Sequence, residues 1–375
     1  MKRLLAGCLI ASAVFGQSEP LREESELTIE CELPEAPRRS DVPVFNSTKD
    51  CEAAKGTYHY KLWLPRGYLA SGQRRWPCMF IADPGGNASF GEMGAWLQSH
   101  GYVVVMLVES KNGPWPPIIG NFLAAHDDVV KRVRIQEGLK FATGMSGGAR
   151  ACAVFVQLRP GFSGLVLQGA GLAYGDNNQY HASGLKRIPG LLVAMTMGDS
   201  DSNHGELTRT KAALGSSGFL AVEFKGGHIW APPDMFARAM DWIERRLFEE
   251  GPPNPALKAV YAQRAQTQLD QLATVTAPWP RYKQADALLA YARNRNLMFD
   301  PAIAPALSKV QLEHTRLRTD PAITREILAA DALRRLEETR EKMPATMFAT
   351  SCRNLAKQYP GTEAAAKAQQ LADVK

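Results

Sequence analysis

The chain has 375 residues, 45% of them hydrophobic and 22% charged, with a formal net charge of +6. That composition is ordinary for a globular protein of about two or three domains, and it argues against a mainly disordered, collagen-like or coiled-coil chain. The longest apolar run, Leu4 to Phe15, is shorter than the ~20 residues a membrane-spanning helix needs, which excludes a polytopic membrane protein.

Lys2 and Arg3 precede that run, and the small residues Ala11, Ser12, Ala13 and Gly16 sit near its end. A charged head, an apolar stretch and a small-residue exit form the pattern of a signal peptide over residues 1–16, so the expected location is the periplasm or the medium. Losing Lys2 and Arg3 reduces the net charge from +6 to +4, a mild excess spread along the chain that asks for no nucleic-acid partner. Cys31 and Cys51 lie in a polar N-terminal extension, residues 17–56, and are the better disulfide candidates in an oxidising compartment. Cys78 and Cys152 sit inside apolar runs, as buried small hydrophobes do. No Cys-x-x-Cys spacing or paired histidine supports zinc, and no cofactor is called for.

From about residue 57 short apolar runs alternate with amphipathic stretches, the pattern of strands and helices around a mostly parallel sheet. The expected strands are Tyr58 to Leu64, Cys78 to Ala82, Val103 to Val108, Lys140 to Thr143, Gly164 to Gly169, Leu191 to Met197 and Leu220 to Phe224. Expected helices between them include Asn121 to Val133, Gly147 to Gln157, Glu206 to Leu214 and Pro233 to Phe248. One doubly wound α/β domain over residues 57–250 accounts for this series. Gly251-Pro252-Pro253-Asn254-Pro255 then punctuates the chain. Beyond it no strand pattern survives, and residues 256–375 read as an all-helical domain of five or six helices, a candidate platform for a protein partner. Tyr359-Pro360-Gly361-Thr362 ahead of an Ala-rich stretch resembles the turn of tetratricopeptide-like modules, although no clean 34-residue period is present.

Gly144-Met145-Ser146-Gly147-Gly148 matches Gly-x-Ser-x-Gly between an expected strand and an expected helix, the context of a nucleophile elbow. A serine hydroxyl is a weak nucleophile on its own and needs a histidine base oriented by a carboxylate. Gly198-Asp199-Ser200-Asp201 follows one later strand and Gly226-Gly227-His228-Ile229-Trp230 the next, at the sheet edge where sites of open α/β sheets gather. The N–H of Gly147 is one candidate donor to an oxyanion, and Gly86 and its neighbours, in the loop Asp83-Pro84-Gly85-Gly86-Asn87, are candidates for the other. Asn112, Trp115 and Trp230 are candidate substrate contacts on loops of the same edge, with core packing an equal alternative for the two tryptophans.

These segments, together with Ser110-Lys111-Asn112-Gly113-Pro114, resemble the α/β-hydrolases of the polyhydroxybutyrate-depolymerase-like and feruloyl-esterase-like esterases, with dienelactone-hydrolase-type relatives. The resemblance implies that fold, a Ser146, His228 and Asp201 acyl-enzyme mechanism, and a small or polymeric ester substrate. The placing of the acid three residues after the glycine in that family favours Asp201 over Asp199. Asp83-Pro84-Gly85-Gly86 departs from the His-Gly that many members carry before the oxyanion loop. A serine peptidase of the same fold, and a binding protein using the helical domain, stand as competing readings.

Overall fold

The central strands of this protein are apolar at nearly every position, because they are covered on both faces, whereas the edges alternate. The computed structural model describes residues 20–173, 182–249, 255–295, 297–340 and 343–373. The leader expected at residues 1–16 and the punctuation at residues 251–254 lie outside them.

In chain order the strands are β1 (Glu26–Leu33), β2 (Gly56–Trp63), β3 (Trp76–Ala82), β4 (Val103–Leu107), β5 (Ile135–Met145), β6 (Phe162–Gln168), β7 (Leu192–Gly198) and β8 (Phe219–Phe224). They form one sheet in the order β1-β2-β4-β3-β5-β6-β7-β8. β2 runs antiparallel to β1 and β4, and the other neighbours are parallel. Every residue of β3, β4 and β7 is buried, while β1 buries Ile29, Cys31 and Leu33 and turns Thr28, Glu30 and Glu32 outward.

β1 is the strand that the sequence pattern missed. Its glutamates made it read as polar extension, yet it pairs with β2 from Glu26 opposite Trp63 to Leu33 opposite Gly56. After it comes α1 (Thr48–Ala53), started by a capping box in which Ser47 and Asp50 exchange hydrogen bonds. Cys31 and Cys51 are buried free thiols rather than a disulfide, Cys31 facing the Tyr58 carbonyl at 3.5 Å and Cys51 that of Ser47 at 3.6 Å. Burial pushes the Cys31 thiol up to about 12.

The crossovers are α2 (Gly94–Ser99), α3 (Trp115–Arg132), α4 (Gly147–Leu158), α5 (Ala182–Lys186), α6 (Gly205–Leu214) and α7 (Pro233–Glu249). α3 starts six residues earlier than expected. Pro116 and Pro117 sit in its first turn, where a missing N–H costs nothing. On one face of the sheet Cys78, Phe80 and Ala82 join the core formed with α3 and α4, where Phe122 stacks on Phe155 at 4.3 Å. On the other, Trp96 of α2 meets Phe236 of α7 edge-on at 5.8 Å.

The chain divides into two compact units, residues 1–244 and 245–375. The second is helical: α8 (Pro255–Thr274), α9 (Pro278–Asn294), α10 (Ala304–Arg318), α11 (Pro321–Thr339), α12 (Ala345–Gln358) and α13 (Glu363–Asp373). Small residues let its last three helices approach closely, with Ala329, Cys352, Ala364, Ala368 and Ala372 buried among Leu333, Phe348 and Leu355.

Candidate active site

Ser146 stands between the end of β5 and the start of α4, with φ 54° and ψ −118°. A left-handed backbone is unfavourable for a serine and persists only when its surroundings fix it. Here they do. The Ser146 N–H donates to the Gln168 carbonyl at 2.8 Å, and its own carbonyl accepts from Ala149 and Arg150 at 3.1 and 3.2 Å. The flanking glycines have a spatial cause: a Cβ at Gly148 would stand 2.3 Å from the Ala82 carbonyl oxygen, and one at Gly144 would stand 2.5 Å from the Gly148 carbonyl. The first turn of α4 therefore lies directly against the end of β3.

The three residues separated along the chain meet at this turn. His228 Nε2 is 2.9 Å from Ser146 Oγ, and its Nδ1 is 2.9 Å from both carboxylate oxygens of Asp201. Asp201 has no exposed side-chain surface, whereas His228 keeps about a third of its own. Because a carboxylate only accepts, Nδ1 carries the proton and Nε2 is left as an acceptor toward the serine. Asp201 Oδ1 also accepts the Asn203 N–H at 2.7 Å, and Asn203 Nδ2 donates to the Gly169 carbonyl at 2.9 Å. Asp199 is placed elsewhere: it pairs with Lys225 at 3.0 Å and accepts the Gly226 N–H at 3.2 Å. The Lys225 ammonium holds the Asp199 carboxyl below its ordinary value.

Gln168 and Asn203 were not singled out in the sequence. The Gln168 side chain is fully buried, accepting from the Ala231 N–H at 3.1 Å and donating to Thr143 Oγ1 at 2.9 Å. It thus fastens the segment just past His228 to the ends of β5 and β6. A glutamine closing the apolar run Leu165-Val166-Leu167 was the available signal.

Of the two expected oxyanion donors the structure leaves one free. The N–H of Gly147, at the N-terminus of α4, has no partner among the described residues, as the first amides of a helix do unless capped. Gly86 requires a correction: its N–H donates to the Asp83 carbonyl at 3.0 Å, closing the turn after β3, and so is already used. Asn112 lies beside Gly147, where its Oδ1 would be 1.7 Å from a Cβ at that glycine. Trp115 is half-buried against the core of the sheet, and Trp230 is half-buried two residues past His228. Among the described residues no group of three or more His, Cys, Asp or Glu side chains is placed to hold a metal ion, and no helix is long and apolar enough to cross a membrane.

The strand order, the elbow after β5 and the Ser, Asp, His sequence along the chain together constitute an α/β-hydrolase fold with a C-terminal helical part. Neither a family model nor a curated protein matches the chain. Solved structures do. An S-formylglutathione hydrolase from Staphylococcus aureus has 12% identity and a TM-score of 0.42 over 60% of this chain and 98% of its own. An IroE-like serine hydrolase from Shewanella oneidensis has 14% identity and a TM-score of 0.43 over 78% of this chain and 99% of its own. An acylaminoacyl peptidase from Pyrococcus horikoshii has 14% identity and a TM-score of 0.41 over 60% of this chain and 44% of its own.

Proposed function

We propose that the protein is an exported serine esterase that hydrolyses carboxylic esters through an acyl-enzyme on Ser146. The observation that supports this best is the 2.9 Å contact of Ser146 Oγ with His228 Nε2, on a histidine whose other nitrogen is bound to the buried Asp201. As Oγ bonds to the ester carbonyl carbon, His228 takes its proton, and Asp201 holds the resulting imidazolium in place. The carbonyl oxygen gains the negative charge and is met by the Gly147 N–H. Collapse expels the alcohol, which receives the proton from His228. Water then attacks the acyl carbon, giving its proton to His228, and the acid leaves as Ser146 regains its hydrogen.

Export follows from the leader pattern at residues 1–16. The motif segments favour an esterase of the polyhydroxybutyrate-depolymerase-like or feruloyl-esterase-like kind, in which Trp115 and Trp230 would meet an aryl or polyester chain. The helical unit, with Phe299, Leu312, Leu328 and Met347 exposed, is a candidate platform for a partner.

The test compares wild-type protein with Ser146→Ala on p-nitrophenyl acetate and butyrate, on a peptide substrate, and with a fluorophosphonate probe. Ester turnover and labelling that both vanish in the variant are expected. Labelling with peptide but not ester turnover would replace the esterase by a peptidase, and no Ser146-dependent signal would remove the enzyme reading.

A further inference from the structure

An oxyanion needs at least two donors, and the loop after β3, which ordinarily supplies the second, has none left between Pro84 and Ala88. Pro84 has no N–H. Gly85 donates to Asp83 Oδ1 at 2.8 Å and Gly86 to the Asp83 carbonyl at 3.0 Å. Asn87 donates to the Val108 carbonyl at 2.7 Å and Ala88 to that of Leu107 at 2.9 Å. Those last two bonds close the loop onto the end of β4, so that it cannot swing an amide toward Ser146 without losing pairing.

Another group stands at the right place. The carboxamide of Asn112 packs on Gly147 itself: a Cβ built there would lie 1.7 Å from Oδ1, 2.8 Å from Cγ and 3.3 Å from Nδ2. Gly147 is the residue whose N–H is the free donor, so the amide lies against the residue that carries that donor. Among the described residues the Asn112 side chain makes no hydrogen bond, which leaves the amide plane free to turn. Turning it exchanges oxygen for NH2 at equal volume, and an oxyanion attracts the donor end and repels the acceptor end.

The segment that carries Asn112 is also fixed in advance. The Asn112 N–H donates to the Pro84 carbonyl at 2.8 Å, tying it to the loop after β3. Behind it the buried Asn121 side chain accepts from the Glu109 and Ser110 N–H groups, both at 3.0 Å, and donates to the His59 carbonyl at 2.8 Å. Ser110 Oγ donates to the Ile118 carbonyl at 3.2 Å. This anchoring fixes the backbone that carries the donor, so that only the turn of the amide itself is left to the moment of reaction.

We infer that the carboxamide of Asn112, rather than a backbone N–H of the loop after β3, is the second oxyanion donor. This rests on the esterase reading of Ser146 and deepens it. A side-chain donor is made only to the transition state, so its loss is read in kcat and not in KM.

Asn112→Ala and Asn112→Asp are measured beside the wild type on p-nitrophenyl acetate and on its thiono analogue, whose sulfur accepts hydrogen bonds poorly. Asn112→Ala is expected to lose about 10²- to 10³-fold in kcat with KM nearly unchanged, the cost of one oxyanion donor. Asn112→Asp is expected to lose more, since its carboxylate faces the developing charge. The wild-type preference for the oxygen ester over the thiono ester is expected to shrink in Asn112→Ala, a change that a purely structural role would not produce. Unfolding curves that match the wild type establish that this exposed side chain is not a folding determinant. Unchanged kcat in Asn112→Ala, or a loss confined to KM, overturns the inference while Ser146-dependent turnover in the wild type keeps the esterase reading. Absence of any Ser146-dependent turnover or labelling in the wild type overturns both.

Discussion

Replacing Asp201 by Asn removes one charge and almost no volume, yet it should disable the site while the same change at Asp199 should not. Asp201 holds His228 Nδ1 with both oxygens at 2.9 Å and has no exposed side-chain surface. An asparagine there turns an NH2 toward Nδ1, and the imidazole responds by carrying its proton on Nε2, which can then no longer accept from Ser146. The positive charge that forms on His228 during attack also loses its buried counter-ion. The same substitution in a Ser-His-Asp triad costs about 10⁴ in kcat, which at about 1.36 kcal/mol per decade is roughly 5.5 kcal/mol of transition-state stabilisation. Asp199 is 40% exposed and is paired with the still more exposed Lys225, so its neutralisation should leave kcat essentially as it was. The assay is kcat for p-nitrophenyl acetate near neutral pH in the two variants and the wild type. A loss in Asp199→Asn as large as that in Asp201→Asn, or an Asp201→Asn enzyme within tenfold of wild type, would refute the reasoning.

Three other outcomes follow from the packing around the site. Gln168→Leu leaves the buried Ala231 N–H without its partner and takes from the Thr143 hydroxyl the donor it accepts from, though that hydroxyl keeps its bond to the Val166 carbonyl; the cost is about 1–3 kcal/mol measured by urea unfolding, and kcat should fall with it because Ala231 lies three residues past His228. Gly148→Ala forces a methyl to 2.3 Å from the Ala82 carbonyl, so α4 must lift from β3. A destabilisation of about 1–3 kcal/mol together with lost turnover is expected, and wild-type stability would contradict the close contact. His126 is held below its ordinary value by burial, assisted by the Lys140 and Arg159 charges and opposed by its bond to Asp127. Its folded form therefore stays neutral where the unfolded chain takes up a proton, so this contribution to stability falls as pH drops below about 6.5. Thermal unfolding of His126→Gln should show a flatter fall than the wild type from neutral pH to about one unit below that value.

The sheet from β2 to β8 was legible because strands buried on both faces are written as unbroken apolar runs, Cys78 to Ala82 and Val103 to Leu107 among them. β1 was not, since a strand with one wet face alternates, and glutamates at residues 26, 30 and 32 hid the apolar Ile29 and Leu33. The start of α3 was obscured in a similar way by Pro116 and Pro117, which break a helix interior but not its first turn. At the site, Ser146 and His228 could be placed from strand ends and chain order, whereas the choice of Asp201 over Asp199 rested on the family resemblance alone. What a sequence does not carry is the state of each amide. Whether the Gly86 N–H was free depended on a turn closing to Asp83, and the arrival of Asn112 over Gly147 depended on two loops being joined through Pro84. Gln168 and Asn203 act through hydrogen bonds to partners in the triad's surroundings, which leaves no spacing pattern to read.

The central claim is that Ser146 carries the acyl group, and trapping that group tests it most directly. Wild-type protein mixed with p-nitrophenyl butyrate, quenched in acid within the first turnovers and mapped by peptide mass, should show a butyryl ester on the peptide that contains Ser146. Ser146→Ala should show neither the adduct nor the burst of p-nitrophenol. An adduct on another residue, or wild-type turnover in Ser146→Ala, would contradict the account.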